Sequence, residues 1–177
     1  ASSAGAIYNS RGKGILYGSY LEGNQSKYGG AISNYSAGAD MTVDSCHFKG
    51  NKADTGGGGL TSGFTAITTI NRPLFEENTA SVGAAIASQN DSTKLVVENC
   101  TFSANNAVSV GGGIGGFRSG LDVTVRGSTF IANSAATGAA IHINEDSLNL
   151  SKLVVTNTIF KENLALGQAG GVNVLNA

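Results

Sequence analysis

The sequence predicts an all-β fold, a right-handed parallel β-helix of about six to seven coils, and three observations predict it. The 177 residues contain a repeat with a period of 27 to 30 residues. Glycine contributes 26 residues, about twice the average share, whereas charged residues make up only 13%. Apolar residues alternate in short runs among glycine, serine, asparagine and β-branched residues, which favours short strands over helices.

The repeat is clearest as an aromatic residue followed three positions later by asparagine. Successive copies are 27, 27, 27, 28 and 30 residues apart, and Leu21 with Asn24 forms the earliest copy. Equivalent residues of a β-helix stack about 4.8 Å apart. We therefore expect the aromatic residues to form an internal stack, and the asparagines to bond to their own copies at a tight, left-handed corner. The two columns are Phe48, Phe75, Phe102, Phe130 and Phe160, and Asn24, Asn51, Asn78, Asn105, Asn133 and Asn163.

A second motif is an aliphatic residue, eight or nine positions after each asparagine, that follows three small residues. It reads GGAI at 29–32, GGGL at 57–60, GAAI at 83–86, GGGI at 111–114, GAAI at 138–141 and AGGV at 169–172. If the aliphatic residue points inward, strand alternation predicts that its small predecessor points outward. We expect a bare docking face for a second β-helix, another domain or a flat glycan, unless the turn alone demands small residues. Its members are Ala31, Gly59, Ala85, Gly113, Ala140 and Gly171.

Charge and hydropathy exclude two classes of partner. The net charge of −1 offers no basic field for a phosphate backbone, so nucleic acid is not an expected partner. No apolar run approaches the roughly 20 residues of a membrane helix, so this segment is not expected to insert into a membrane.

The combination of F-x-x-N with GGA and an aliphatic residue resembles the repeat of the chlamydial-type polymorphic outer-membrane proteins. The resemblance extends from Gly5 to Val172. It implies the β-helical passenger of an autotransported adhesin, and therefore an extracellular or cell-surface location. We expect a non-enzymatic scaffold or adhesin without a cofactor, whose inter-coil loops and small-residue face contact a protein or glycan surface, or a second copy laterally. Residues 1–177 are expected to form one β-helix domain, a segment of a longer solenoid.

Two outward columns on the strand before the aromatic residue keep other functions open. The Thr/Val column, Thr42, Thr69, Val96, Thr124 and Val154, suits ice binding, but the charged column beside it would break the flatness of that surface. The charged column, Asp44, Asn71, Glu98, Arg126 and Thr156, suits a polysaccharide lyase or hydrolase, with Asp44 and Glu98 as acids. Glu98 and Arg126 more simply form a surface ion pair. A carbohydrate-active or carbohydrate-binding β-helix is therefore the main alternative, and ice binding the weaker one.

The remaining reactive groups are predicted to be structural. Cys46 and Cys100 lie two coils apart in one column, about 9 to 10 Å, which exceeds the roughly 7 Å limit for a disulfide. They are expected to be free and buried. His47 and His142 are expected at the surface, and no metal site is predicted.

Glycan acceptor sequences of the form Asn-x-Ser/Thr occur five times in the chain. Such sequences mark accessible surface where the host glycosylates secreted proteins. The candidates that fall in the variable loops are Asn34, Asn90 and Asn149.

Overall fold

The computed structural model describes residues 3–90, 92–117, 120–145 and 151–176, and over these residues the chain is a parallel β-helix of the right-handed type. Every strand pairs in parallel with the equivalent strand of the next coil, which confirms the predicted fold. None of the described residues belongs to a helix long and apolar enough to cross a membrane.

Each full coil contributes one strand to each of four sheets. Sheet A, which follows the small-residue motif, contains Ile7–Asn9, Ile32–Tyr35, Leu60–Gly63, Ile86–Gln89, Ile114–Phe117, Ile141–Glu145 and Val172–Asn176. Sheet B contains Lys13–Tyr17, Asp40–Asp44, Ile67–Asn71, Lys94–Glu98, Asp122–Arg126 and Lys152–Thr156. Sheet C contains Tyr20–Glu22, His47–Lys49, Leu74–Glu76, Thr101–Ser103, Thr129–Ile131 and Ile159–Lys161. Sheet D contains Gln25–Ser26, Lys52–Ala53, Thr79–Val82, Asn106–Val110, Ser134–Ala135 and Leu164–Ala165.

The aromatic column forms the predicted stack along the interior of sheet C. Phe48, Phe75, Phe102, Phe130 and Phe160 pair directly from coil to coil. Neighbouring ring centroids lie 4.4 to 5.4 Å apart, and the ring planes are within 16° of parallel. The first four rings have no exposed surface. Burying each contributes about 1.5 to 3 kcal/mol, so the stack is a large part of the core.

The asparagine column forms a continuous hydrogen-bonded ladder, as predicted. In each step, one Oδ1 accepts from both the backbone N–H and Nδ2 of the asparagine one coil earlier, for example at 3.0 and 2.9 Å between Asn78 and Asn105. Nδ2 of Asn105 also donates to the carbonyl oxygen of Phe75 at 3.0 Å. The buried amides therefore satisfy one another and the backbone at the corner between sheets C and D.

The left-handed residue at this corner lies one position before the asparagine. The six residues there have φ between 53° and 63°, so the expected left-handed corner exists, but asparagine supplies its hydrogen bonds rather than its backbone conformation. The column is Gly23, Gly50, Glu77, Ala104, Ala132 and Glu162.

The small residues before sheet A are required by close approaches inside the coil. The first of them folds back on its own strand, so that a Cβ at Gly57 would overlap the carbonyl oxygen of Leu60. The third faces the aromatic stack, because a Cβ at Gly113 would lie 2.7 Å from the ring of Phe130. The motif is therefore steric in origin.

The predicted docking face is consequently wrong. Ala31, Ala85 and Ala140 are fully buried in the core cluster, and a Cβ at Gly59 would meet the ring of Phe75 at 2.9 Å. These residues precede the strand, in a bend, so strand alternation does not apply to them. The small residue and the aliphatic residue after it both point inward. The face defined by Ala31, Gly59, Ala85, Gly113, Ala140 and Gly171 is thus an inner wall that is half-exposed only at Gly171.

Adding one methyl group to this wall should be costly in the middle of the stack and tolerated at its end. Gly113→Ala would press on the Phe130 ring and on the carbonyl oxygen of Ala140, 2.6 Å away, whereas a Cβ at Gly171 has open space. We expect Gly113→Ala to lower the free energy of unfolding by about 2 kcal/mol and Gly171→Ala to leave it nearly unchanged. Urea denaturation measures both. Equal effects would contradict the inward assignment.

Removing one amide from the ladder should destabilise the protein far more than removing its neighbour. Asn105→Ala leaves the backbone N–H of Asn78 and the carbonyl oxygen of Phe75 without their partners, at about 1 to 3 kcal/mol each. Asn106 follows directly and is exposed. We expect a loss of about 3 kcal/mol for Asn105→Ala and less than about 0.5 kcal/mol for Asn106→Ala by thermal or urea denaturation. Similar losses would argue against the ladder.

Candidate functional site

A cavity of about 420 Å³, here called the tyrosine pocket, lies beside the first coils of sheet A. Its volume is within the range of about 300 to 1,000 Å³ that is usual for small-ligand pockets. The wall combines aromatic rings, hydroxyl groups and amides, and the residues that form it are Ser3, Tyr8, Tyr28, Ser33, Tyr35, Gln89 and Asn90.

Strand register brings these residues together from distant parts of the sequence. Tyr8 lies directly beside Ser33, while Tyr35, Gly63 and Gln89 occupy one column on three successive coils. A Cβ at Gly63 would lie 2.9 Å from Cε2 of Tyr35, so the bare glycine makes room for the tyrosine ring. The ring of Tyr35 therefore extends over Gly63 towards the coil that carries Gln89.

Tyr35 is held from two further sides. Its hydroxyl oxygen accepts a hydrogen bond of 2.9 Å from Nδ2 of Asn90, and its ring stacks on Phe64 with centroids 5.8 Å apart. Because the amide is the donor in this bond, the phenolic proton of Tyr35 is free to donate to another acceptor. Tyr35 is thus held in position before any ligand arrives.

The described wall contains no carboxylate, histidine or thiol, and so no acid–base pair or nucleophile–base pair. Lys27, which is not part of the lining, has its Nζ 5.2 Å from the ring centroid of Tyr28. The described lining offers aromatic rings, hydroxyl groups and amides to a ligand.

Sequence reasoning missed this pocket, although the sequence carries a signal for it. All five tyrosines of the chain lie between residues 8 and 35. Three of them, Tyr8, Tyr28 and Tyr35, line the cavity. An uneven distribution of one aromatic type along a regular repeat indicates a local surface rather than a core column.

The charged column of sheet B is in the predicted register, and its acids are paired. Nη2 of Arg72 lies 2.7 Å from Oδ2 of Asp44. The predicted pair of Glu98 with Arg126 is present, with 3.7 Å between Oε1 and Nη1. The Thr/Val column is also in register, but charged residues flank it on both sides, since Lys13 and Asp40 lie at the other edge of the sheet. Asp44 and Glu98 are therefore not free acids, and the Thr/Val column is not part of a flat surface.

The three glycosylation candidates differ in their exposure and in whether the structure describes them. Asn34 is completely buried, and its Nδ2 donates to the carbonyl oxygen of Ile67 and to Oγ1 of Thr68, so it is not an acceptor site in the folded protein. Asn90 is half-buried and bonded to Tyr35, and Asn149 lies outside the described residues. Among the acceptor sequences that the structure describes, the one with an exposed asparagine is at Asn99.

Both thiols are free and buried, as predicted. Burial raises the pKa of Cys100 to about 12 and also raises the pKa of Cys46. Both groups are therefore protonated and unreactive at neutral pH.

Among the described residues, no three histidine, cysteine or acidic side chains form a group that could hold a metal ion.

The histidines differ in position. His47 lies at the surface and is half-buried, as the sequence predicts. Its Nε2 lies 3.2 Å from Glu76. The surface prediction is wrong for His142, which is 2% exposed because the preceding glycine turn folds over it, with Gly138 against its Cβ. Nδ2 of Asn173 lies 3.2 Å from Nδ1 of His142, an arrangement that needs the neutral ring.

His142 should make the protein less stable in mild acid. Burial lowers its pKa below the usual 6.5, so its neutral form stabilises the fold above pH 6.5 and that contribution is lost as the pH falls through the folded pKa. We expect the wild-type protein to lose more stability than His142→Asn between pH 7 and pH 5, with an extra slope of at most about 1.4 kcal/mol per pH unit. Urea denaturation across this range measures the difference. Parallel curves for the two proteins would contradict it.

Comparison of the chain with models of protein families, with curated proteins and with solved structures finds no match.

Proposed function

We propose that the chain is a non-enzymatic binding scaffold of the adhesin type, located outside the cell or at its surface. The observation that carries the proposal is the tyrosine pocket, a preformed and uncharged wall built from side chains of several coils. The extracellular location rests on the resemblance of the repeat to that of surface adhesins.

The β-helix supplies what such a scaffold needs. The stacked rings and the asparagine ladder fix each coil relative to the next, so residues far apart in sequence keep a constant spacing at the surface. Tyr35 is the last residue of one sheet A strand and Asn90 is the first residue after another, and both line the pocket. Contacts made where the chain leaves sheet A support a role for these segments in binding.

The carbohydrate-active alternative has less support. Asp44 and Glu98, its candidate acids, each pair with an arginine. Each carboxylate is accounted for by a surface ion pair, which is the simpler interpretation of this column. The pocket itself offers no replacement for them.

The proposal predicts saturable binding without turnover. The whole chain would be tested by surface plasmon resonance against immobilised matrix proteins and cell-surface glycans, and incubated in parallel with soluble polysaccharides. We expect binding to at least one surface and no release of reducing ends or unsaturated sugars.

The matched control is the double variant Asp44→Asn with Glu98→Gln, which removes both candidate acids from an exposed face. We expect it to bind as the wild type does, because exposed ion pairs contribute less than about 1 kcal/mol to stability. Depolymerisation that is abolished in this variant would establish an enzyme and refute the scaffold.

A further inference from the structure

We infer that the tyrosine pocket binds one neutral pyranose unit of a glycan. The inference rests on the proposed function and names the class of ligand that the scaffold takes. It is carried by the composition of the pocket wall, by its size and by the fixed position of Tyr35.

The wall has the two kinds of surface that a sugar ring needs. A pyranose presents C–H groups on its faces and hydroxyl groups around its rim. Tyr8 and Tyr28 remain 51% and 39% exposed, so their rings are accessible to the C–H face of such a ligand. Gln89 and Asn90 bring amides to the same cavity, and an amide offers both donors and acceptors to hydroxyl groups.

The absence of charge among the described wall residues selects a neutral ligand. An acidic sugar or a phosphate would lose hydration on entering without gaining a cation in the wall, since the described lining holds no lysine or arginine. Lys27 lies against the ring of Tyr28 rather than in the lining. The cavity of about 420 Å³ has room for a monosaccharide unit rather than for a folded partner domain.

Tyr35 contributes a hydrogen-bond donor in a fixed position as well as an aromatic surface. Asn90 donates to its hydroxyl oxygen, and the ring is confined between Gly63 and Phe64. The free phenolic proton can therefore donate to a sugar oxygen from a fixed position, which reduces the entropy lost on binding. Tyr35→Phe removes this donor together with the bond from Asn90, and keeps the ring contacts with Gly63 and Phe64.

The test uses the chain's own fluorescence, because it contains no tryptophan and three of its five tyrosines line the pocket. The probes are methyl β-glucopyranoside, methyl β-galactopyranoside and N-acetylglucosamine, titrated into the whole chain, with saturation-transfer NMR as a second readout. We expect a saturable response to at least one of them. If none binds, the inference is overturned.

Pocket variants then locate the binding. We expect Tyr8→Ala or Tyr28→Ala to raise the dissociation constant about tenfold, and Tyr35→Phe about threefold to tenfold. The matched control is Tyr17→Ala, a 70% exposed tyrosine on sheet B, which should bind as the wild type does. Circular dichroism and melting temperature identify any variant that fails to fold, and the conservative Tyr35→Phe keeps the inference testable in that case. Unchanged affinity in all three pocket variants overturns it.

Failure of this inference is distinguishable from failure of the proposed function. If the wild type binds immobilised surfaces but no pyranoside, the pocket assignment is overturned and the scaffold proposal stands. If Tyr8→Ala abolishes capture of a matrix protein while no pyranoside binds, the occupant is a peptide and the inference is also overturned. Binding to neither surface nor sugar refutes both.

Discussion

The structure depends on one constraint, that identical side chains lie directly above one another in successive coils. The asparagine ladder enforces it, because each buried amide finds its donors and acceptors only when its copies are in register. A slip of one residue would break these bonds and turn the phenylalanine column from the interior to the solvent. The ladder therefore determines the register, and the aromatic stack and the aliphatic columns supply the apolar burial that the register makes available.

The sequence predicts the features that repeat, because residues that recur at a fixed spacing occupy equivalent positions in the packed coils. Phe102 and Asn105 lie where their columns place them, and the pair of Glu98 with Arg126 follows from the same spacing. The prediction fails where it assumes strand geometry outside a strand. Ala85 precedes its strand in a bend, so both it and Ile86 point inward, and alternation assigns it to the wrong side. The six small residues reflect the width of the coil rather than a surface.

The pocket could not be derived from the repeat because its residues do not repeat. Tyr35 and Asn90 are 55 positions apart, and their bond depends on where the chain leaves sheet A on two different coils. Asn34 is a second residue whose environment the sequence does not predict. Its sequence marks a loop acceptor for a glycan, yet strand pairing continues through it and buries its amide between neighbouring coils. The residues around a position in the sequence do not show whether a neighbouring coil buries that position.

Under the proposed function, the division between repeating and non-repeating positions is also a division between stability and recognition. Core columns tolerate little change, since even one methyl group at Gly113 meets a ring. The tyrosines that line the tyrosine pocket are at least partly exposed, and the ladder lies at a different corner of the coil, between sheets C and D. A regular interior sets the spacing of side chains on different coils, as it does for Tyr35 and Asn90, which lie two coils apart. Under that proposal, the side chains of the pocket can differ between coils without altering the fold, because the side-chain contacts that hold the coils together are those of the phenylalanine and asparagine columns.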